Sequence, residues 1–123
     1  MAQKRVLVID DDDDIRDLLA LIVSREGFAA ETAWDGQQGL EAIQKAPPDL
    51  VIMDLMLPRY GGFELLRKLQ EDGLASLPVI VITGRYNDPA TMDMIRKESN
   101  VADFMAKPVD TALLGKTLKK LLA

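Results

Sequence analysis

The sequence predicts an α/β fold, a doubly wound parallel sheet built from five consecutive strand–helix units. Short apolar runs recur at intervals, and three of them lack any alternation, as strands buried on both faces do. Stretches with helical apolar spacing lie between the runs. The length, 123 residues, suits one such domain and is too short for two.

The elements follow in order. Arg5-Val6-Leu7-Val8-Ile9 is an unbroken apolar strand. Ile15, Leu18, Leu19 and Ile22 then mark a helix whose Asp-rich start caps its first turn, and Gly27 supplies a left-handed stop. Ala29 to Ala33 is a weaker strand, and Gly36 to Lys45 a shorter helix. Pro47-Pro48 is a loop before the strand Leu50-Val51-Ile52-Met53. Phe63, Leu65, Leu66 and Leu69 mark a helix ending near Gly73, and Val79-Ile80-Val81-Ile82 is the fourth strand. Asp88-Pro89 reads as a cap followed by Pro at the first helical position, with Met92 and Ile95 on one face. Phe104-Met105-Ala106 is the fifth strand, and Asp110 opens a last helix with Leu114, Leu118 and Leu121 inward. Parallel strands joined this way cross over right-handedly, so helices cover both faces.

Composition excludes several chemistries. With no Cys there is no disulfide, thiolate nucleophile or zinc knuckle, and with no His there is no imidazole base. The net charge of −5 argues against direct nucleic-acid binding, which wants basic patches. No window approaches a membrane span, and the amino-terminal residues do not form a signal peptide, so membrane insertion is not expected and a cytoplasmic location is.

In an open α/β sheet, sites form beyond the carboxyl ends of the strands. The first strand is followed by Asp10-Asp11-Asp12-Asp13-Asp14, the third ends at Asp54, the fourth at Thr83-Gly84 and the fifth at Lys107-Pro108. Acids, a hydroxyl and an amine therefore converge on one edge. Asp10, Asp11 and Asp54 together repel one another unless a cation sits among them. Oxygen donors favour a hard ion, and Mg²⁺ is the natural one. Lys107 and Thr83 suit an anionic ligand, and a phosphoryl group that a carboxylate attacks fits the set. Each piece alone has a plainer reading: the Asp run as a solvated helix cap, Asp54 as a turn residue, Thr83 as an ordinary strand residue.

Taken together, Val8-Ile9-Asp10-Asp11, Asp49 to Asp54 with Pro58 four residues on, Pro78 to Thr83, and Lys107-Pro108 resemble the receiver domain of two-component response regulators, from Lys4 to Leu122. The resemblance implies a flavodoxin-like three-layer sandwich with strand order 2-1-3-4-5, filling residues 1–123 with no output domain. It implies that Asp54 is the phosphoacceptor, that Asp11 ligates Mg²⁺ directly, Asp10 largely through water, and that the Met56 carbonyl completes the protein ligands. Lys107 would pair with the phosphoryl oxygens, across a cis bond to Pro108. Thr83 would be the switch hydroxyl, and Phe104 the aromatic that follows it inward. The donor would be a histidine kinase or histidine phosphotransfer protein. The output would be a protein target on the face of the fourth helix, fifth strand and fifth helix, with Lys97, Lys116, Lys119 and Lys120 supplying charge. The chain would be a monomer or a weak phosphorylation-dependent dimer, and an enzyme only toward its own phosphoryl group. Met56 and Arg85, on opposite lips, would shield that group from water.

The sequence departs from the family pattern in places. Gly61-Gly62 replaces an acid-Gly pair and predicts a looser loop, and Gly84 replaces Ala after Thr83. Asn100-Val101 replaces Gly-Ala, with Asn100 expected in the left-handed turn that Asn tolerates. Asp12 stands where Glu is frequent. A second reading is a small Mg²⁺-dependent phosphatase of the haloacid-dehalogenase type, whose order Asp10, Asp12, Thr83 and Lys107 mimic. It lacks the final acidic pair, leaves no room for a cap and gives Asp54 no role. A third reading is a degenerate receiver that only docks, although every chemical position is filled.

Overall fold

The computed structural model describes residues 3–84 and 89–123. Five strands, β1 (Arg5–Ile9), β2 (Ala29–Ala33), β3 (Leu50–Asp54), β4 (Val79–Thr83) and β5 (Val101–Ala106), form one sheet in the order β2-β1-β3-β4-β5. Every pairing is parallel. The helices are α1 (Asp13–Arg25), α2 (Gly36–Lys45), α3 (Gly62–Glu71), α4 (Pro89–Arg96) and α5 (Thr111–Leu122).

The apolar strands divide their side chains between two cores by simple alternation. Leu7, Ile9, Val51, Met53, Val79 and Val81 pack with α2, α3 and α4 through residues such as Leu40, Leu66 and Ile95. Val6, Val8, Leu50, Ile52, Ile80 and Ile82 pack with α1 and α5 through Leu19, Val23, Leu114 and Leu118. Both faces are dry, which is why β1, β3 and β4 carry no polar alternation.

Gly27 and Gly73 both adopt positive φ, at 92° and 80°, and reverse the chain after α1 and α3 as expected. Pro89 is the first residue of α4; Asp88, expected as its cap, and Arg85, expected at the site's lip, lie outside the described residues.

Three expectations are corrected. Leu18 does not join the inward stripe of α1 but is 43% exposed, and Val23 takes the buried position. β5 begins three residues before Phe104, where Val101 pairs with Val79, and a bulge separates that pair from Ile80↔Asp103. The side chain of a bulged edge strand does not alternate cleanly, so its first half is invisible to periodicity. Asn100 has no positive φ; it is buried, its amide donates to the Leu66 carbonyl at 3.0 Å, and its oxygen accepts from Gln70. Side-chain bonding, not a left-handed turn, accounts for Asn there. In the loop before α3, Gly62 allows a close backbone approach, since a Cβ there would lie 2.7 Å from the Leu55 carbonyl oxygen.

Candidate functional site

Each strand end delivers one chemical group to the same edge. β1 runs out at Ile9, and Asp10 follows with its backbone N–H donating to the Ala33 carbonyl of β2. Arg16, one turn into α1, donates to the Asp10 carbonyl at 3.0 Å and pairs with Asp13, tying the helix start to the strand end. Asp12 caps α1 by accepting from the backbone of Asp14 and Ile15. The Asp run is therefore split: Asp12 and Asp13 serve the helix, while Asp10 and Asp11 face the cluster. Asp54 is the last residue of β3, opposite Ile82 of β4. Thr83 closes β4, fully buried, and Lys107 follows β5 with its N–H on the Thr83 carbonyl. The Lys107–Pro108 bond is cis.

Carboxylate oxygens of Asp10, Asp11 and Asp54 lie within 4.8 Å of one another. The Lys107 ammonium bridges the two buried acids, 2.7 Å from Asp54 Oδ2 and 3.1 Å from Asp10 Oδ2. The remaining oxygen of Asp54 accepts the Met56 N–H at 2.9 Å, and that of Asp10 accepts the Asp12 N–H at 3.0 Å. Asp10 Oδ2 is buried and, despite the nearby ammonium, has no aligned hydrogen-bond donor among the described residues. Among those residues three carboxylates face one cation, an excess of negative charge.

Two ionisations are displaced. Burial pushes the Asp10 carboxyl above its usual 3.8, and the Asp12 N–H and Lys107 only partly oppose this. For Lys107 burial works downward, but the hydrogen bond to Asp54 and the nearby charges of Asp54 and Asp10 outweigh it and hold the ammonium above 10.5. A cavity of about 440 Å³ opens over these groups, walled by Asp11, Asp54, Met56, Thr83, Gly84 and Lys107 among others. The donor set is all oxygen and acidic, and one buried carboxylate oxygen, Asp10 Oδ2, has the Lys107 ammonium beside it but no aligned hydrogen bond. That chemistry fits a hard, partly hydrated cation.

Phe104 lies half-buried against the α2–α4 core. The β5 register sets it beside Val81, with Ala106 beside Thr83, so Phe104 is one pleat behind Thr83 on the same face. The bulge produces this placement; without it Phe104 would face α5. The expected charge on the output face is reduced by one, since Lys119 pairs with Glu26, the C-cap of α1, at 3.0 Å. The sequence assigns no role to Arg16 or Asp35, and to Gly36 only the start of a helix. The Asp35-Gly36 pair before a helical stretch was the available signal, since Asp35 caps α2.

Residues 6–119 match the family described as the response regulator receiver domain. The chain is 35% identical over 117 residues to the transcriptional regulatory protein AfsQ1 of Streptomyces coelicolor, covering 95% of this chain and 50% of that protein. It is 35% identical over 107 residues to the DNA-binding response regulator MtrA of Mycobacterium tuberculosis, covering 86% and 45%. The chain thus spans about half the length of the curated relatives it matches. Among solved structures, NtrX of Brucella abortus superposes with a TM-score of 0.83 at 36% identity, over 99% of this chain and 27% of that one. Chemotaxis response regulator CheY4 of Vibrio cholerae gives a TM-score of 0.86 at 26% identity, over 98% and 99%. Sheet order, strand-end cluster and sequence agree, and the chain belongs to the receiver domains of two-component response regulators.

Proposed function

We propose that the chain is a phospho-accepting switch in which Asp54 receives a phosphoryl group with Mg²⁺ bound. The observation that carries this reading is the Lys107 ammonium bridging buried Asp54 and Asp10 beneath an open, acid-lined cavity. Asp11 and the Met56 carbonyl would hold the ion directly, and Asp10 through water. The ion would supply charge neutralisation at the phosphoryl oxygens. One Asp54 oxygen attacks the phosphorus of a phosphohistidine, the P–N bond breaks, and the imidazole leaves with its electron pair. Lys107, released from Asp54 Oδ2, pairs with the incoming phosphoryl oxygens. Thr83 then turns toward the new anion and Phe104 follows into the space it leaves.

A histidine kinase or histidine phosphotransfer protein is the donor we infer, in a cytoplasm. Output runs through the α4–β5–α5 face to a protein target. DNA binding is a property named for longer relatives such as MtrA; the chain's net charge of −5 favours a protein partner. No described helix is long and apolar enough to cross a membrane. The dehalogenase-type reading needs Asp12 as its second acid, and the use of that carboxylate to cap α1 counts against it.

Beryllofluoride with Mg²⁺ tests the reading, because it mimics a phosphoryl group on a carboxylate. Amide NMR shifts around β3 and β4 are expected in the wild type and not in Asp54→Asn. A response that survives Asp54→Asn but fails in Asp10→Asn would support the phosphatase instead, and no response at all would leave only a docking module.

A further inference from the structure

We propose that the start of α2 is a latch that sets the acidic pocket's affinity for a divalent cation, with Asp35 and Gly36 as positioning residues. The inference rests on the phosphoacceptor reading and adds the control of its metal site. The loop between β3 and α3 supplies one wall of the pocket through Met56, Leu57 and Pro58. Its near end is fixed by the Met56 N–H on Asp54 Oδ1 and the Leu55 N–H on the Ile82 carbonyl. Its far end is held by α2, which contributes no group to the pocket wall.

Three contacts make that hold. The Pro58 carbonyl accepts the Gly36 N–H at 3.2 Å as well as the Tyr60 N–H at 2.8 Å. Gly36 is buried, and a Cβ on it would lie 1.8 Å from the Tyr60 carbonyl oxygen, so the loop backbone rests directly on the first residue of the helix. Asp35, also buried, divides its carboxylate: Oδ1 caps the helix at Gln38, and Oδ2 lies 3.6 Å from Arg59 Nε.

Arg59 is the one described non-glycine residue with positive φ, at 68°. A left-handed backbone disfavours Arg. Its turn therefore depends on what holds it, and the Pro58 carbonyl bonds and the Asp35 carboxylate are the holds among the described residues. The ion pair itself is weak, because Arg59 is largely exposed. The close contact at Gly36 carries more of the effect. Pro58, where the latch acts, is two residues from Met56, whose carbonyl is the assigned ligand. Displacing the far end of so short a loop moves that wall.

The test is Mg²⁺ titration by calorimetry, with thermal unfolding run on the same samples. Gly36→Ala wedges the loop off α2 and should raise the Mg²⁺ Kd about tenfold or more, the scale seen when groups behind a metal's ligands are removed. Arg59→Gly should weaken Mg²⁺ about two- to five-fold, in line with a weak ion pair. The same change relieves the left-handed Arg backbone, so Tm should hold or rise. A contact that merely supports the fold would lower Tm and leave Kd unchanged. Should Gly36→Ala not fold, Arg59→Gly decides alone. Wild-type affinity in a folded Gly36→Ala, or in Arg59→Gly, overturns the latch while leaving the phosphoacceptor reading intact. Absence of Mg²⁺ binding by the wild type overturns that reading, and the latch with it.

Discussion

Asp10 is the residue whose chemistry runs most against its surroundings. It is fully buried, and burial raises its carboxyl pKa. A raised acid holds its proton to higher pH in the folded state than in the unfolded one. Its favourable contribution is complete below 3.8 and is lost as pH rises through the folded value. Without divalent metal, ionised Asp10 therefore costs stability at neutral pH. Asp10→Asn should raise Tm at pH 7 in chelator, and the gain should shrink as pH falls toward the ordinary carboxylate range, because proton uptake by wild-type Asp10 removes its own charge. Lys107 works with the same sign and at the other end. Its pKa is raised above 10.5, so its contribution holds below that value and disappears on alkaline titration. Thermal melts across pH with chelator present check both, and a constant Asp10→Asn increment from pH 4 to 8 would contradict the first. Met56 gives a kinetic prediction. It is 39% exposed and walls the pocket beside Asp54, where an apolar thioether cannot orient a water. Met56→Asn should speed loss of the phosphoryl group; a tenfold gain is only about 1.4 kcal/mol of barrier. Decay followed by intact mass reads it, and an unchanged half-life would mean that Met56 does not guard the acceptor.

At the scale of elements, the coupling of α3 to the end of α4 is the feature periodicity did not reveal. Asn100 bonds Leu66 and Gln70 of α3, and Glu98 takes Arg67 and Gln70, so the turn before β5 is clamped onto α3. Asn100→Ala removes a buried donor and acceptor and leaves the Gln70 amide short of a partner. It should cost about 1–3 kcal/mol in denaturant unfolding, with the m-value unchanged. A loss below a few tenths would show that water replaces the side chain. Central strands were legible because burial on both faces leaves an unbroken apolar signature, as in Val79–Thr83. β5 was legible only in its last three residues. Its pattern of partly exposed positions and its bulge at the edge of the sheet resemble neither template. The same bulge decides which face Phe104 occupies, so the switch geometry depends on the least readable strand.

For the whole molecule, the site was readable from sequence because strand ends in a parallel sheet converge by topology. Knowing that Asp10, Asp54, Thr83 and Lys107 each end or follow a strand was enough to place them together. What topology does not specify is how the connecting loops are held, so no spacing in the sequence reveals the contacts of Asp35, Gly36 and Arg59. The charge excess at the cluster also makes a global prediction. Cation binding to the folded state alone should stabilise it by about 2.7 kcal/mol at a hundredfold excess over Kd, a Tm rise of several degrees. Asp11→Ala should erase most of that gain, since Asp11 is the exposed acid of the three. A full Mg²⁺ response in Asp11→Ala would place the ion elsewhere, on Asp12 to Asp14. The most direct test of the central claim is intact-mass spectrometry after incubation with acetyl phosphate and Mg²⁺. The wild type should gain one phosphoryl group, and Asp54→Ala, still folded by circular dichroism, should gain none; a phosphoryl adduct on folded Asp54→Ala would contradict the assignment of Asp54 as the acceptor.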